Sequence, residues 1–195
     1  AGCEDAAAIL DTLNNSEVLM GGLEGPRNAY RYHGLFSEFL RARLEQTLPA
    51  TEIAALHLLA AEGYLKAGRP VPVIDHLIEA QAFDVAAQII HAEVEHLLAQ
   101  GRMRLLERWF ARLPEAFTET LPELRIARIW ATGLAKSPAK ALALLRDSAL
   151  NGSADAEISA HVRAMKTTFL AMTGRLDEAY DIGKAAVPFL PSPVP

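Results

Sequence analysis

The sequence has little cysteine, few aromatic residues and no long apolar run. Its single Cys3 excludes an internal disulfide framework and fits a reducing compartment. Aromatics make up only 7% of the chain, which disfavours a sandwich or barrel and favours helices in close contact. No uncharged apolar stretch approaches the ~20 residues that a membrane helix needs. Glu4 and Asp5 stand where a secretory leader would carry its basic region, so no leader is expected and the expected location is cytoplasmic. Strong excess charge is also missing, since the formal net charge of the 195 residues is -5. What is abundant is alanine (35) and leucine (28), both strong helix formers. The charge that exists is uneven. Residues 1–100 hold 6 Lys+Arg against 14 Asp+Glu, and residues 101–195 hold 13 against 10. An acidic first half does not grip a phosphate backbone by itself, and the second half is too weakly basic to imply nucleic acid.

Along the chain, Ala6, Ile9, Leu10 and Leu13 recur at helical spacing. The period then changes around Gly21, Gly22, Gly25 and Pro26. There Glu17–Leu19 and Asn28–Tyr32 read as the two strands of a loose β-hairpin. From Gly34, the residues Leu35, Phe36, Phe39, Leu40 and Leu44 form one stripe, of which Leu35, Phe36, Phe39 and Leu40 are expected to be buried between the hairpin and the helices that follow, and Pro49 ends the helix. Helix, hairpin, helix within so few residues is the back half of a winged-helix module. The rest of such a module would have to precede Ala1, so the chain is expected to be a piece of something longer.

After Thr51 only helix is visible, with Ala54, Leu58, Ala61 and Leu65 reading as one side of the first. Breaks fall at Gly68-Arg-Pro, Gln100-Gly101, Leu113-Pro114, Leu121-Pro122, Ser137-Pro138, Asn151-Gly152 and Thr173-Gly174. If phased on Gly68, Gly101, Lys136 and Gly174, the breaks step by 33, 35 and 38 residues, bracketing the ~34-residue tetratricopeptide (TPR) period. Five residues after each phase point stand Val73, Leu106, Ala141 and Ala179, of which the two alanines suit a close helix crossing. The expected fold class is therefore all-α. Residues 50–195 form an α-α superhelix, a TPR-like solenoid, preceded at residues 1–49 by the C-terminal part of a winged-helix domain with a short β-hairpin.

No catalytic signature is present, neither a phosphate-binding G-x-x-x-x-G-K-[ST] nor G-x-G-x-x-G nor G-x-S-x-G, so the chain is not expected to be an enzyme. His91 and His96 are five apart, about 140° around a helix, and cannot share a metal as i, i+4 histidines do; no metal is expected. Arg104, Arg108 and Arg112 recur at i, i+4, i+8, with Arg125 and Arg128 as a candidate extension. They read either as a solvated face or as a surface for an anionic ligand or partner. Trp109, Phe110 and Trp130 are expected to face neighbouring helices.

The most informative segment is Arg31-Tyr32-His33-Gly34-Leu35-Phe36-Ser37-Glu38-Phe39-Leu40-Arg41. It resembles the R-Y-H-x-L-F-x-E-F-L-R signature of the MalT-like regulators, large ATP-binding LuxR-type transcription activators of the STAND class. The resemblance continues through Leu56-His57, Tyr64, Gly68, Ile74, His76, Phe83, Ile90, Gly101, Trp109, Leu113-Pro114 and Trp130, and covers roughly residues 5–135. It implies a P-loop ATPase domain before Ala1 and a helix-turn-helix DNA-binding domain beyond Pro195, with ATP or ADP as the cofactor of the whole protein and none in this chain. It implies that inducer binding to the helical repeats, by a small molecule or a regulatory protein, frees an ATP state that self-associates and activates transcription. The other partner implied is the ATPase domain of the same polypeptide, with DNA contacted only through a domain outside this chain and no membrane involved. His33 matches the histidine of the M-H-D motif that contacts ADP phosphate in STAND proteins. With Arg31 it is the candidate nucleotide-sensing residue, an imidazole N–H being able to donate to a phosphate oxygen. Gly34 stands where relatives often carry Asp or His. The competing expectation is a stand-alone helical-repeat scaffold that docks proteins.

Overall fold

The punctuation of this chain is done by residues that cannot continue a helix. In the computed structural model, residues 8, 12, 20–22, 30–119 and 121–186 are described. Ala8 and Thr12 are helical, and the Thr12 hydroxyl donates to the Ala8 carbonyl at 2.8 Å. The rest of the first expected helix, and Glu17–Leu19, lie outside the described residues. Strand β1 (Met20–Gly22) pairs antiparallel with β2 (Tyr30–Tyr32) in the register Met20↔Tyr32, Gly21↔Arg31, Gly22↔Tyr30. Among the described residues ten helices follow: α1 (Gly34–Thr47), α2 (Ala50–Lys66), α3 (Pro70–Glu79), α4 (Phe83–Ala99), α5 (Met103–Phe110), α6 (Glu115–Thr118), α7 (Pro122–Ala135), α8 (Pro138–Asp147), α9 (Ala156–Met172) and α10 (Leu176–Ala186).

Pro70, Pro122 and Pro138 each open a helix, where a missing N–H costs nothing and the fixed φ is already helical. Asp155 caps α9 by accepting from the N–H groups of Glu157 and Ile158 at 2.8 and 3.1 Å. Gly68, Gly101 and Gly174 end helices in the left-handed region, at φ of 65°, 67° and 81°. At each, the next residue's N–H returns to a carbonyl of the last helical turn, as in Arg69 to Tyr64 at 3.0 Å and Arg175 to Leu170 at 3.0 Å. The turn between α3 and α4 repeats this geometry with Gln81 at φ 59° and Ala82 N–H bonded to Leu77 O at 2.9 Å. A non-glycine residue fills the strained position there, and for that reason the turn is not visible in the sequence.

Two apolar clusters result. The first joins Ala61 of α2, Val73, Ile74, Leu77 and Ile78 of α3, the inner face of α4, Leu106, Trp109 and Phe110 of α5, and Leu124, Ala127 and Ala131 of α7. The second joins Ile126 and Ile129 of α7 with Ala141, Leu145, Leu150, Val162, Met165 and Phe169. At 100° per residue, Leu124/Ala127/Ala131 and Ile126/Ile129/Gly133 lie roughly 160° apart around α7, so this helix is buried on two opposite sides. All four phased positions, Val73, Leu106, Ala141 and Ala179, are buried.

The expectation for α1 is overturned. Leu35 is 73% and Phe39 62% exposed, Phe36, Leu40 and Leu44 are half-buried, and no residue of the helix is buried. Among the described residues α2 is the principal helix packed on α1, and Tyr32 covers only the edge of Phe36, with centroids 5.7 Å apart. A stripe of five apolar residues is more than these two neighbours cover. Of the α2 stripe, Ala61 is buried and Ala54 half-buried as expected, but Leu58 and Leu65 are exposed, and Ile53, His57 and Tyr64 complete the packed side.

At Gly133 α7 lies directly against the Phe169 ring of α9. A Cβ there would enter the space of the Phe169 ring, and Phe169 is itself fully buried with Trp130 edge-on at 5.2 Å. Gly133→Ala is expected to destabilise the chain by about 1–3 kcal/mol despite its better helix propensity, because neither ring has room to move. Urea unfolding measures this, and a stabilised variant would mean that α7 and α9 are not in contact at this point.

Candidate functional site

Polar chemistry concentrates where α3 meets α2 and α5. The Trp109 side chain is fully buried, so its indole N–H requires an acceptor. Asp75 of α3 supplies it: Oδ1 accepts from Trp109 Nε1 at 2.7 Å and from Arg108 Nη2 at 2.7 Å, and Arg108 Nη2 reaches Oδ2 at 3.0 Å. One turn on, Arg112 pairs with Glu79 at 2.9 Å. Glu79 is held below the ordinary carboxylate range. Burial pushes its pKa up, but the Arg112 hydrogen bond and charge, with His57 and Arg41, more than offset this.

On the other side of α3, His76 Nδ1 lies 2.8 Å from His57 Nδ1 of α2. Only one of these two nitrogens can carry the shared proton, the other accepting it. Tyr64 stacks on His76 with centroids 5.5 Å apart, and the Arg69 guanidinium sits 5.3 Å from the Tyr64 centroid. The His76 pKa is lowered from 6.5, first by burial and then by His57 and Arg41, with Asp75 and Glu79 pulling the other way.

The basic stripe is therefore largely committed. Arg108 and Arg112 are spent on Asp75 and Glu79; only Arg104 is exposed and without an ion pair among the described residues. Arg125 and Arg128 do not extend it. Arg125 lies against Glu119, with Nε 2.6 Å from Oε2, and Arg128 binds Glu115 Oε1 at 2.9 Å and the buried Thr118 hydroxyl at 3.2 Å, closing α6 onto α7. His91 faces Glu123 at 3.7 Å and His96 bonds Gln100 at 2.7 Å, so the two histidines have separate partners. Among the described residues no group of three or more His, Cys, Asp or Glu could hold a metal, and no helix is long and apolar enough to cross a membrane.

His33 is exposed immediately before α1; its carbonyl accepts from Ser37 N–H at 2.9 Å, and its imidazole has no hydrogen-bond partner among the described residues. Arg31 lies in β2, opposite Gly21. The His57–His76 pair was missed by sequence reading, since its members are 19 apart on different helices and belong to no motif.

A cleft of about 920 Å³ lies between α8, α9 and α10. Leu142, Leu145, Leu170 and Ile182 form apolar walls, and Arg146, Lys166 and Arg175 are the cations at its edge.

Two predictions follow from the seam. Asp75→Ala is expected to cost about 1–3 kcal/mol by stranding the buried Trp109 N–H, and Asp75→Asn clearly less, because the amide oxygen still accepts; urea unfolding of both compares them. His76, whose pKa is depressed on folding, contributes stability that is present above 6.5 and lost as the pH falls through the folded value. Unfolding midpoints should therefore fall between pH 7 and 5, and fall less in His76→Gln; equal pH slopes would detach His76 from the effect.

Comparison with known proteins connects this architecture to a family. Residues 1–52 match the family model described as the MalT winged helix domain. The chain is 31% identical over 131 residues to the HTH-type transcriptional regulator MalT of Vibrio cholerae serotype O1, covering 66% of this chain and 14% of that protein. The MalT regulator of Vibrio parahaemolyticus is 29% identical over 127 residues, 65% of this chain and 14% of the relative. That of Yersinia pestis (strain Pestoides F) is 25% identical over 195 residues, 97% of this chain and 22% of the relative. The chain thus spans less than a quarter of the length of these relatives. No solved structure gives a significant match to it. Residues 1–52 thus match the MalT winged helix domain, and the similarity to regulators named MalT continues through the helices beyond, at modest identity over most of this chain.

Proposed function

We propose that this chain is the regulatory and sensor segment of a LuxR-type bacterial transcription activator, relaying inducer binding to an ATPase switch and a DNA-binding domain that lie outside it. The observation that carries the reading is the run of similarity to MalT regulators from the winged helix through the helical array. In this reading the array is a TPR-like solenoid whose phased buried positions, Val73, Leu106, Ala141 and Ala179, are the crossings of successive helix pairs. The protein works in the cytoplasm and self-associates when activated, and ATP or ADP belongs to the neighbouring ATPase domain. The segment alone is not an enzyme: it is expected neither to hydrolyse ATP nor to bind a defined DNA site.

A second reading, a helical scaffold that docks proteins, is favoured by one feature: Leu35, Phe39, Leu56 and Leu59 on α1 and α2 are all substantially exposed. Under the leading reading this surface receives the ATPase domain of the same polypeptide.

His33 separates structural from switching roles. Its exposed imidazole, with no hydrogen-bond partner among the described residues, is available to an ADP phosphate, and a charge-assisted hydrogen bond there would be worth about 1.5–3 kcal/mol. His33→Ala in the full-length protein is then expected to raise inducer-free transcription about 10–150-fold at normal abundance. A reporter assay paired with protein quantification tests it; ordinary inducer dependence at ordinary abundance removes His33, and with it Arg31, from nucleotide sensing.

A further inference from the structure

The cleft between α8, α9 and α10 has walls of one character and a rim of another. Ala139, Leu142, Leu145, Leu170 and Ile182 present carbon. Its volume of about 920 Å³ is at the upper end of the range for small-molecule sites.

The charges at the rim do not cancel. Glu178 is fully engaged by Arg175, whose Nε and Nη2 reach its two carboxylate oxygens at 2.7 and 2.6 Å, and this pair contributes no net charge. Arg146 has only a loose partner in the adjacent Asp147, at 3.1 Å, with both side chains at least 70% exposed. Such a pair is worth little and yields readily to a better acceptor. Lys166, half-buried in α9, has no ion pair among the described residues. The remaining polar groups are occupied by the fold: the Thr173 hydroxyl donates to Phe169 O at 2.9 Å, and the Asn151 amide donates to Leu145 O and, at 3.1 Å, to Arg146 O. Two cations are left facing an apolar trough.

We propose that this cleft binds an amphipathic organic anion, its apolar body against Leu142, Leu170 and Ile182 and its carboxylate or phosphate between Lys166 and Arg146. The assignment deepens the sensor reading by naming the chemical class of the inducer, and it rests on that reading for its regulatory consequence. An uncharged ligand would leave Lys166 half-buried without a counter-charge, and a bare inorganic anion would leave the carbon walls wet. Only a molecule with both parts meets both demands.

Binding and relay are tested separately. Isothermal titration of the 195-residue chain would use octanoate, octan-1-ol and inorganic phosphate as probes. Octanoate is expected to bind at least ~10-fold more tightly than either of the others, and Lys166→Met to weaken it ~10-fold at an unchanged melting temperature. Arg146→Met, at a side chain 77% exposed, carries the same test without risk to folding and is expected to weaken octanoate several-fold. Equal affinity for octanoate and octan-1-ol, phosphate binding as tight as octanoate, or indifference to Arg146→Met would each overturn the site. In a full-length reporter strain, Lys166→Met should raise the inducer concentration needed for activation. If octanoate binding depends on Lys166 and Arg146 but the inducer response does not, the site stands as a binding site and the sensor assignment of the cleft falls.

Discussion

Everything beyond the first two helices depends on α7 being buried on both sides. A helix at the edge of an array needs one apolar stripe. This one carries two, offset by two residues, and each belongs to a different cluster. The small residues Ala127, Ala131 and Gly133 allow α7 to be approached from opposite directions without widening the array. Gly133 marks the limit of that approach, where even a methyl group would enter the space of the Phe169 ring. Glycine within a helix ordinarily weakens it by roughly 1 kcal/mol relative to alanine. Here the loss of propensity is outweighed by full burial of Phe169 and its edge-on contact with Trp130.

Charge follows from the same packing. Helices that bury aromatic residues at their crossings must place an acceptor beside any indole N–H. Asp75 does so for Trp109 and in turn draws Arg108 across from the same turn of α5. Glu79 and Arg112 repeat the arrangement one turn later. The arginine spacing that looks like a binding stripe is thus mainly a consequence of how α3 and α5 are held together. Further along the chain, Lys166 without an ion pair among the described residues and Arg146 with only its exposed neighbour Asp147 line the cleft beside the second cluster.

The sequence made legible those features that a single residue type can announce. Gly68, Gly101 and Gly174 mark helix ends because only glycine adopts a left-handed φ at no steric cost. The turn at Gln81 escapes, since tertiary packing imposes the same backbone on a residue that does not advertise it. The leucines of α2 mislead for a related reason. Periodicity locates an apolar stripe but not the neighbours available to cover it, and in α2 the packed side is built on Ile53, His57, Ala61 and Tyr64 while the leucines face outward. The His57–His76 contact joins residues far apart in sequence on separate helices, and local pattern has no access to it.

The distribution of burial also bears on how such an array transmits a signal. Leu145 and Leu170 line the α8–α10 cleft and are themselves buried, and Leu145 belongs to the same cluster as Ile126 and Ile129 of α7. The opposite side of α7 is packed against α4 and α5. A ligand that shifts Leu145 therefore shifts a close-packed element rather than a loose one, and close-packed interiors pass displacement on instead of absorbing it. The α1 end has the contrary character, with exposed leucine and phenylalanine and no fully buried side chain. In the proposed role, one end of the chain is stiff enough to carry a displacement and the other retains apolar surface for a partner to read. A fully close-packed α1 would leave no such surface, and a loosely packed α7 would carry nothing to it.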